Sequence, residues 1–578
     1  MTPQAQGRIA DCRDQALAIS VGETFLATLK QKGVDYLFVN SGTDSAPLVE
    51  AYARQSESGL DFPRPIVAGH ENAVVSMAHG YTMLTGKAQA VMVHVTVGAA
   101  NAVCAIMNAR RDAIPMLFMA GRTPLYEKGV LGARNGAIHW AQEMYDQAGM
   151  MRELVKWDYE LRGAVNLDDV VDRALAITQA APAGPVYLTL PREVLSEPTA
   201  PGAVSAVPAT VPYPPAPDQR AVALLAHMIA AARCPVLVTS ASGRDAATVA
   251  PLEQFCERHG VGIVEAKSRY LCARSGHRYH LGQNIHPVLA EADLLICVES
   301  EVPWIPETGE PPATTQIAHV GVDPLFQDYP IRGFRSDLAI TSSTAAILPV
   351  LDAMLSAIDA PQASDQRKAN VSGLVRKRLD RRAARIAATV AAPAMTKDWL
   401  NICLNQALAG DTVLVNEYWA DRELLDLERP QSFFMHSPAA GLGWGLPAAV
   451  GAALAAPDKV IVATVGDGAY IFGNPAACHH AAAMHDAPFL TIVCNNARWN
   501  AVQASTFGVF PTGHAARGPR PAPLSDLSPI PDFELYAQAS GGYGERVTDP
   551  GEVLAAMRRG IDVVRRERRQ ALLNVICD

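Results

Sequence analysis

An excess of positive charge is missing from this chain. Its formal net charge is −9 at pH 7, which argues against a nucleic-acid-binding surface. It has no run of about 18 apolar residues, so no membrane-spanning helix is expected. The opening MTPQAQGRIADCRDQ carries no apolar stretch of signal-peptide type, and no such peptide is expected. The ten cysteines form no CxxC pair and no Cys/His spacing suited to zinc. They point to a reducing, cytoplasmic setting. No short internal repeat is visible. The 578 residues are 49% hydrophobic and 19% charged. That is enough chain for about three or four domains, with an ordinary globular composition.

Short apolar runs alternate with helical stretches along most of the chain. A helix is expected over 16–32, ended by Gly33, then a strand at 36–39 and a polar loop, Asn40-Ser41-Gly42-Thr43-Asp44. Residues 66–68 lead through Gly69-His70-Glu71-Asn72 into a helix of small residues. A strand at 90–95 bears His94, and Gly98-Ala99-Ala100-Asn101 is expected to open the next helix. Strands at 115–120 and 185–190 complete the unit. Residues 196–217 are rich in Pro, Ala and Val without periodicity and read as a linker. A second α/β unit follows, with strands at 235–239, 262–265, 294–298 and 316–320. Residues 360–369 read as another linker, ahead of a basic helix whose charges suit a solvated face. The alternation predicts an α/β fold of three doubly wound parallel-sheet domains, at 1–195, 215–358 and 394–578. The outer two are candidates for distant copies of one fold.

The third unit holds the stretch with the clearest chemistry. Residues 459–465 form a β-branched apolar run that ends in Gly466-Asp467-Gly468, read as a turn. A helix is expected over 476–484, then a strand at 489–494 ending in Asn495-Asn496. Asp467 and Asn496 thus fall at the carboxyl ends of two parallel strands, where open α/β sheets bind ligands. A carboxylate and an amide oxygen are hard donors, suited to Mg²⁺ or Ca²⁺ rather than zinc. Mg²⁺ usually shares oxygens with a bound phosphate, so the pair predicts a metal bridging protein to diphosphate. Gly-Asp-Gly by itself fits a helix-capping turn equally well; the order strand, GDG, helix, strand, NN is what singles it out.

That order resembles the thiamine diphosphate binding motif. The resemblance implies that Asp467, Asn496 and the Arg498 carbonyl bind Mg²⁺, with Gly468 and Ala469 holding the diphosphate. Glu71 matches the carboxylate that protonates the cofactor's pyrimidine ring. The segment 433–450 resembles the one that bends the cofactor, with Leu442 as the wedge and the Ala440 carbonyl accepting from its amine. Within the superfamily the chain is similar to the decarboxylase and acetolactate-synthase branch, and most of all to benzoylformate decarboxylases. The strings carrying this are His94-Val95-Thr96-Val97-Gly98-Ala99-Ala100-Asn101, Thr43 within NSGTD, Val155-Lys156-Trp157, residues 184–188 and Asn416-Glu417.

Three departures stand out. The loop at 299–305 has no histidine where those enzymes carry a catalytic one. Tyr418-Trp419-Ala420 replaces their hydroxyl-bearing diphosphate contacts, and His436 replaces an aromatic substrate contact. The resemblance implies decarboxylation of a 2-oxo acid, with aldehyde release or carboligation. His94 and His436 are the candidates for proton transfer, and Thr43 for orienting the substrate carboxylate. An acetolactate-synthase-like carboligase, a non-decarboxylating C–C lyase or hydrolase and a non-catalytic homologue are the alternatives. FAD is not expected, because residues 239–244 lack a dinucleotide glycine pattern. The resemblance also implies a homodimer or homotetramer with sites at subunit interfaces.

Overall fold

The structure, a computed structural model, describes residues 19–199 and 210–577. The opening residues and the middle of the 196–217 linker lie outside them. The described chain builds three sheets, all of whose strand pairs are parallel. The first holds β1 (Tyr36–Val39), β2 (Arg64–Val67), β3 (Gln89–Val93), β4 (Met116–Arg122), β5 (Asp158–Glu160) and β6 (Pro185–Pro191). The central sheet holds β7 (Pro235–Thr239), β8 (Gly262–Val264), β9 (Leu294–Val298), β10 (Gln316–Gly321) and β11 (Leu338–Thr341). The third holds β12 (Thr412–Glu417), β13 (Phe433–Met435), β14 (Val460–Gly466), β15 (Leu490–Asn495), β16 (Tyr543–Val547) and β17 (Ala571–Ile576). The inner strands β3, β7, β9 and β15 are buried along their whole length. Strands covered on both faces read as continuous apolar runs, and that is why these were legible.

The first sheet runs β2-β1-β3-β4-β6-β5 and the third β13-β12-β14-β15-β17-β16. Counted from its own first strand, each has the order 2-1-3-4-6-5. The two outer sheets therefore share one topology, which residue patterns alone did not establish. The order reverses beside β12 and β14, the switch point at which open parallel sheets bind ligands.

The chain forms two compact units. One gathers the described residues up to Pro212 with Ser437–Ala455 and Gly473–Ala487; the other holds Tyr213–His436, Ala456–Phe472 and the residues from Pro488 onward. In the first unit, the helix Gly445–Ala455 is apolar on all sides and buried from Gly445 to Ala453, as a helix enclosed by protein must be. It packs on the helix Glu71–Thr85. A Cβ at Gly451 would lie 1.8 Å from the Met77 carbonyl oxygen, and one at Gly80 2.1 Å from that of Ala448. The two backbones touch because glycine leaves room at both crossings. Gly451→Ala is expected to destabilise the protein by about 1–3 kcal/mol through overpacking, read as a lower denaturation midpoint.

Several expected elements differ in the structure. The first helix is Val21–Gln31, begun by a capping box in which Ser20 and Glu23 satisfy each other's backbone N–H groups; residues 16–18 lie outside the described chain. The expected linker at 360–369 is helical, part of a single helix Pro361–Ala391. Pro361 suits the first turn of a helix, and Arg367 is buried, donating to the carbonyls of His259 and Ala230. The basic face beyond it is paired rather than simply solvated: Arg378 meets Glu423, Arg382 meets Asp426, and Arg385 meets Asp398 and Asp421. The stretch that follows Asn496 carries the helices Asn500–Val509 and His514–Arg517. Arg520 lies 3.9 Å from the centre of the Phe507 ring, and the Trp499 N–H donates to the Ser525 carbonyl at 2.8 Å. Among the described residues no single helix is long and apolar enough to cross a membrane.

Candidate active site

β14 and β15 lie side by side, with Gly466 opposite Cys494. Their ends therefore deliver Asp467 and Asn496 to one edge of the sheet. Asp467 is not in a free turn; it is the first residue of a short helix, Asp467–Phe472. Its Oδ1 accepts from the Gly468 N–H at 2.8 Å. Its Oδ2 accepts from the N–H groups of Asn496 at 3.1 Å and Arg498 at 3.2 Å. The two halves of the motif are thus tied through one carboxylate. Ala497 takes a positive φ of 51° to make the turn. The Arg498 carbonyl accepts from the Asn500 N–H at 2.9 Å, leaving a second lone pair. Gly468 and Ala469 are buried beside the acid.

The side-chain oxygen of Asn496 is buried and has no hydrogen-bond partner. An orphaned buried acceptor costs about 1–3 kcal/mol, so its persistence at a ligand edge calls for a partner. Burial also pushes the Asp467 carboxyl above the usual carboxylate range, against the opposing pull of the backbone donors. A desolvated carboxylate next to an unpaired amide oxygen fits a small hard dication such as Mg²⁺. Among the described residues no group of three His, Cys, Asp or Glu side chains is placed to hold a metal. The donor set here is instead carboxylate, amide and carbonyl.

Asn416, at the end of β12, is occupied with its own loop. Its Oδ1 accepts from the Ala420 N–H at 3.0 Å and the Thr464 hydroxyl at 2.9 Å, and its Nδ2 donates to the Ala420 carbonyl at 3.1 Å. This clamps Tyr418-Trp419-Ala420, where Tyr418 adopts φ 88°. The His436 ring lies against that of Tyr418, centres 4.3 Å apart and planes tilted by 35°, and the His436 backbone N–H donates to the Asn416 carbonyl at 3.1 Å. His436 is thus packed against Tyr418.

The other predicted residues belong to the first unit. Glu71 opens its helix, and the His70 ring caps that helix by accepting the Asn72 N–H at 3.2 Å. Glu71 Oε2 accepts from Asn101 Nδ2 at 2.7 Å, and the same nitrogen lies 3.4 Å from His70 Nε2. Asn101 therefore holds the glutamate, beside the capping histidine. Glu71 is half-buried and Asn101 exposed in this chain. His94 does not lie on the strand expected at 90–95: β3 stops at Val93, and His94 is the residue before the helix Val95–Arg111. That helix opens at Val95 rather than at Gly98. The cause is Asp44, whose Oδ1 lies 2.5 Å from His94 Nδ1 and whose Oδ2 accepts the Val95 N–H at 3.3 Å. Thr43 is exposed on the same turn, so its hydroxyl is free to meet a ligand while its neighbour is committed. Leu442 is half-buried and Ala440 exposed. Asn108 braces the turn between them through both backbone groups of Gly441, at 2.9 and 3.0 Å.

Residue patterns missed Asp44, Asn101 and Gln142. Asp44 had a visible cue, an acid inside the NSGTD loop, but nothing local says that it turns inward. Gln142, whose Nε2 lies 3.3 Å from His94 Nε2, had no cue.

Residues 19–150 match the family described as thiamine pyrophosphate enzyme, N-terminal TPP binding domain, and residues 416–575 match its C-terminal TPP binding domain. The chain is a thiamine pyrophosphate enzyme. The probable 2-ketoarginine decarboxylase AruI of Pseudomonas aeruginosa is 25% identical, the match covering 94% of this chain and 92% of that protein. The acetolactate synthase large subunit of Parasynechococcus marenigrum is 24% identical, over 92% of this chain and 84% of that one. The crystal structure of benzoylformate decarboxylase from Polynucleobacter necessarius superposes with a TM-score of 0.77 at 20% identity, covering 96% and 98% of the two chains. This thiamine pyrophosphate enzyme thus has both decarboxylases and acetolactate synthases among its relatives, and it shares their fold of three parallel-sheet α/β domains.

Proposed function

We propose that this enzyme uses thiamine diphosphate and Mg²⁺ to act on a 2-oxo acid, decarboxylating it with release of an aldehyde or ligation to a second carbonyl compound. The single observation that carries the reading is the Asp467–Asn496 edge, where a buried carboxylate and an unpaired amide oxygen await a hard cation. The names of the relatives support a 2-oxo acid as substrate, and the acetolactate synthases among them keep ligation open as the outcome.

Bound thiamine diphosphate supplies a nucleophilic carbon and an electron sink for the departing carboxylate's electrons. The chain's residues do the rest. Asp467, Asn496 and the Arg498 carbonyl hold the cation, and Gly468 and Ala469 line the diphosphate. Glu71, steadied by Asn101, holds a proton against the pyrimidine nitrogen. Leu442 wedges the cofactor, and the Ala440 carbonyl accepts from its amine. Thr43 orients the substrate carboxylate. His94 Nε2, with His436, moves the proton that decides how the product leaves.

The domain limits 1–195, 215–358 and 394–578 are proposed with this reading, as is a cytoplasmic location. A homodimer or homotetramer with the site at a subunit interface is proposed as well. Two features support it. Glu71 and Asn101 keep solvent exposure that a cofactor-activating acid does not retain at work. Leu125, Tyr126, Leu131, Ile138, Trp140 and Tyr145 expose an apolar stretch after β4, as surfaces covered by a partner do. Light scattering coupled to size exclusion is expected to give a dimer or larger; a monomer alone contradicts the assembly.

The functional test is a panel of 2-oxo acids incubated with thiamine diphosphate and Mg²⁺, scoring carbon dioxide and organic product separately. Cofactor-dependent carbon dioxide from at least one acid is expected, and His94→Ala is expected to lower that rate by about 10²-fold. Consumption of a ketone with no carbon dioxide from any acid selects the non-decarboxylating alternative.

A further inference from the structure

The geometry points to Asp44 as the positioning residue for His94: it keeps a hydrogen on Nδ1 and leaves Nε2 as the nitrogen that takes up and gives away the working proton. The inference deepens the proposed function and rests on His94 as the proton carrier in it.

Asp44 is 2% exposed. A carboxylate so deeply buried needs partners for its charge, and both of its oxygens are committed, Oδ1 to His94 Nδ1 at 2.5 Å and Oδ2 to the Val95 N–H at 3.3 Å. The pair sits in space that two glycines vacate. A Cβ at Gly121, on β4, would lie 1.8 Å from Asp44 Oδ2, and a Cβ at Gly42 would lie 2.1 Å from His94 Nδ1. Only a residue without a side chain fits at either place. The backbone beyond the ring is strained, because Val95 is β-branched and adopts φ 27°. Such strain persists where surrounding contacts hold it and collects at functional positions.

A second side chain meets the far side of the ring. Gln142 Nε2 lies 3.3 Å from His94 Nε2. In this orientation the amide donates to a neutral ring nitrogen. Gln142 Oε1 is buried without a partner, so turning the amide over places that oxygen against Nε2–H of a charged ring. The glutamine thus matches either protonation state of Nε2, while Asp44 matches only a protonated Nδ1.

The charges facing His94 come from several elements. The hydrogen bond to Asp44, on the loop after β1, raises its pKa most; burial opposes this, and the charges of Asp44 and of Glu71, at the start of its helix, add to the rise. His139 lies within reach of the His94 charge, which adds to the lowering of its own pKa by burial, and Arg192, whose Nη1 lies 3.4 Å from the Thr43 carbonyl, faces Asp44. The net direction is upward, so His94 keeps its second proton to a higher pH than an ordinary histidine.

The test uses the cofactor-loaded full-length enzyme with ¹⁵N-labelled histidine, the His94 signals being assigned by their loss in His94→Gln. Above its pKa the wild-type ring is expected to show hydrogen on Nδ1 and a bare Nε2; hydrogen on Nε2 instead overturns the proposal without recourse to any variant of Asp44. Asp44→Asn preserves shape but removes the charge and can present an N–H to Nδ1. It is expected to lower the His94 pKa by about 1–3 units and to move hydrogen to Nε2. The limb of the pH–kcat profile that depends on protonated His94 is expected to shift to lower pH by the same amount, with thiamine diphosphate affinity unchanged. An unchanged His94 titration in Asp44→Asn overturns the proposal. If His94→Gln retains full turnover, the assignment of His94 fails instead, whatever the nitrogen signals show.

Discussion

Asp467→Ala is expected to abolish Mg²⁺-dependent binding of thiamine diphosphate. The carboxylate does two things at once. In the proposed site it supplies a hard, anionic oxygen to the cation, and in the structure it receives three backbone N–H groups, from Gly468, Asn496 and Arg498. Alanine removes the charge and leaves those donors facing an empty edge, so Asn496 also loses its placement. A ligand that binds only the native state at one hundred times its Kd stabilises it by about 2.7 kcal/mol. The wild type is expected to gain roughly that on adding saturating Mg²⁺ and thiamine diphosphate, and Asp467→Ala to gain nothing. Chelation of the metal is expected to reproduce the variant's behaviour in the wild-type protein. A variant stabilised by the cofactor as much as the wild type removes Asp467 from the site.

Glu71→Gln is expected to lower turnover by about 10²–10⁴-fold while leaving cofactor binding in place. Glutamine has the same shape, and its amide oxygen still accepts from Asn101 Nδ2, now 2.7 Å from the carboxylate. The helix start keeps its cap from His70. What is lost is a group able to hold a negative charge against a protonated pyrimidine nitrogen, and no neutral amide replaces that. Rate and affinity therefore separate in this variant, whereas they fall together in Asp467→Ala. Unchanged turnover at saturating cofactor excludes Glu71 as the activating acid and revives the view of the chain as a binding protein without chemistry.

The contrast between these residues and Asp44 explains how far local reading reached. Asp467 and Asn496 stand directly after two strands buried along most of their length. The residues that make such a strand recognisable also carry the next side chain to the sheet edge. Glu71 sits at a helix start with a clear pattern behind it. Asp44 lies in a short polar loop, where nothing within a few residues distinguishes an acid turned to solvent from one turned inward. The decision comes from Gly121, far along the chain on β4, and from the His94 ring. The stretch 360–369 failed as a linker for a related reason. Its composition is polar because half of the Pro361–Ala391 helix faces outward, and the buried Arg367 finds its acceptors in His259 and Ala230, which composition does not register.

Residue order and chemistry alone gave the class of sheet and the approximate limits of most strands, and singled out the hard-oxygen pair proposed for the cofactor edge. These depend on periodicity and on neighbours a few positions apart, and such information is local. The repeated 2-1-3-4-6-5 strand order, the grip of Asp44 on His94 and the bracing of Gly441 by Asn108 became visible only with the chain folded. Each joins residues distant in sequence, and a contact of that kind is set by which backbones approach closely enough to leave room for it.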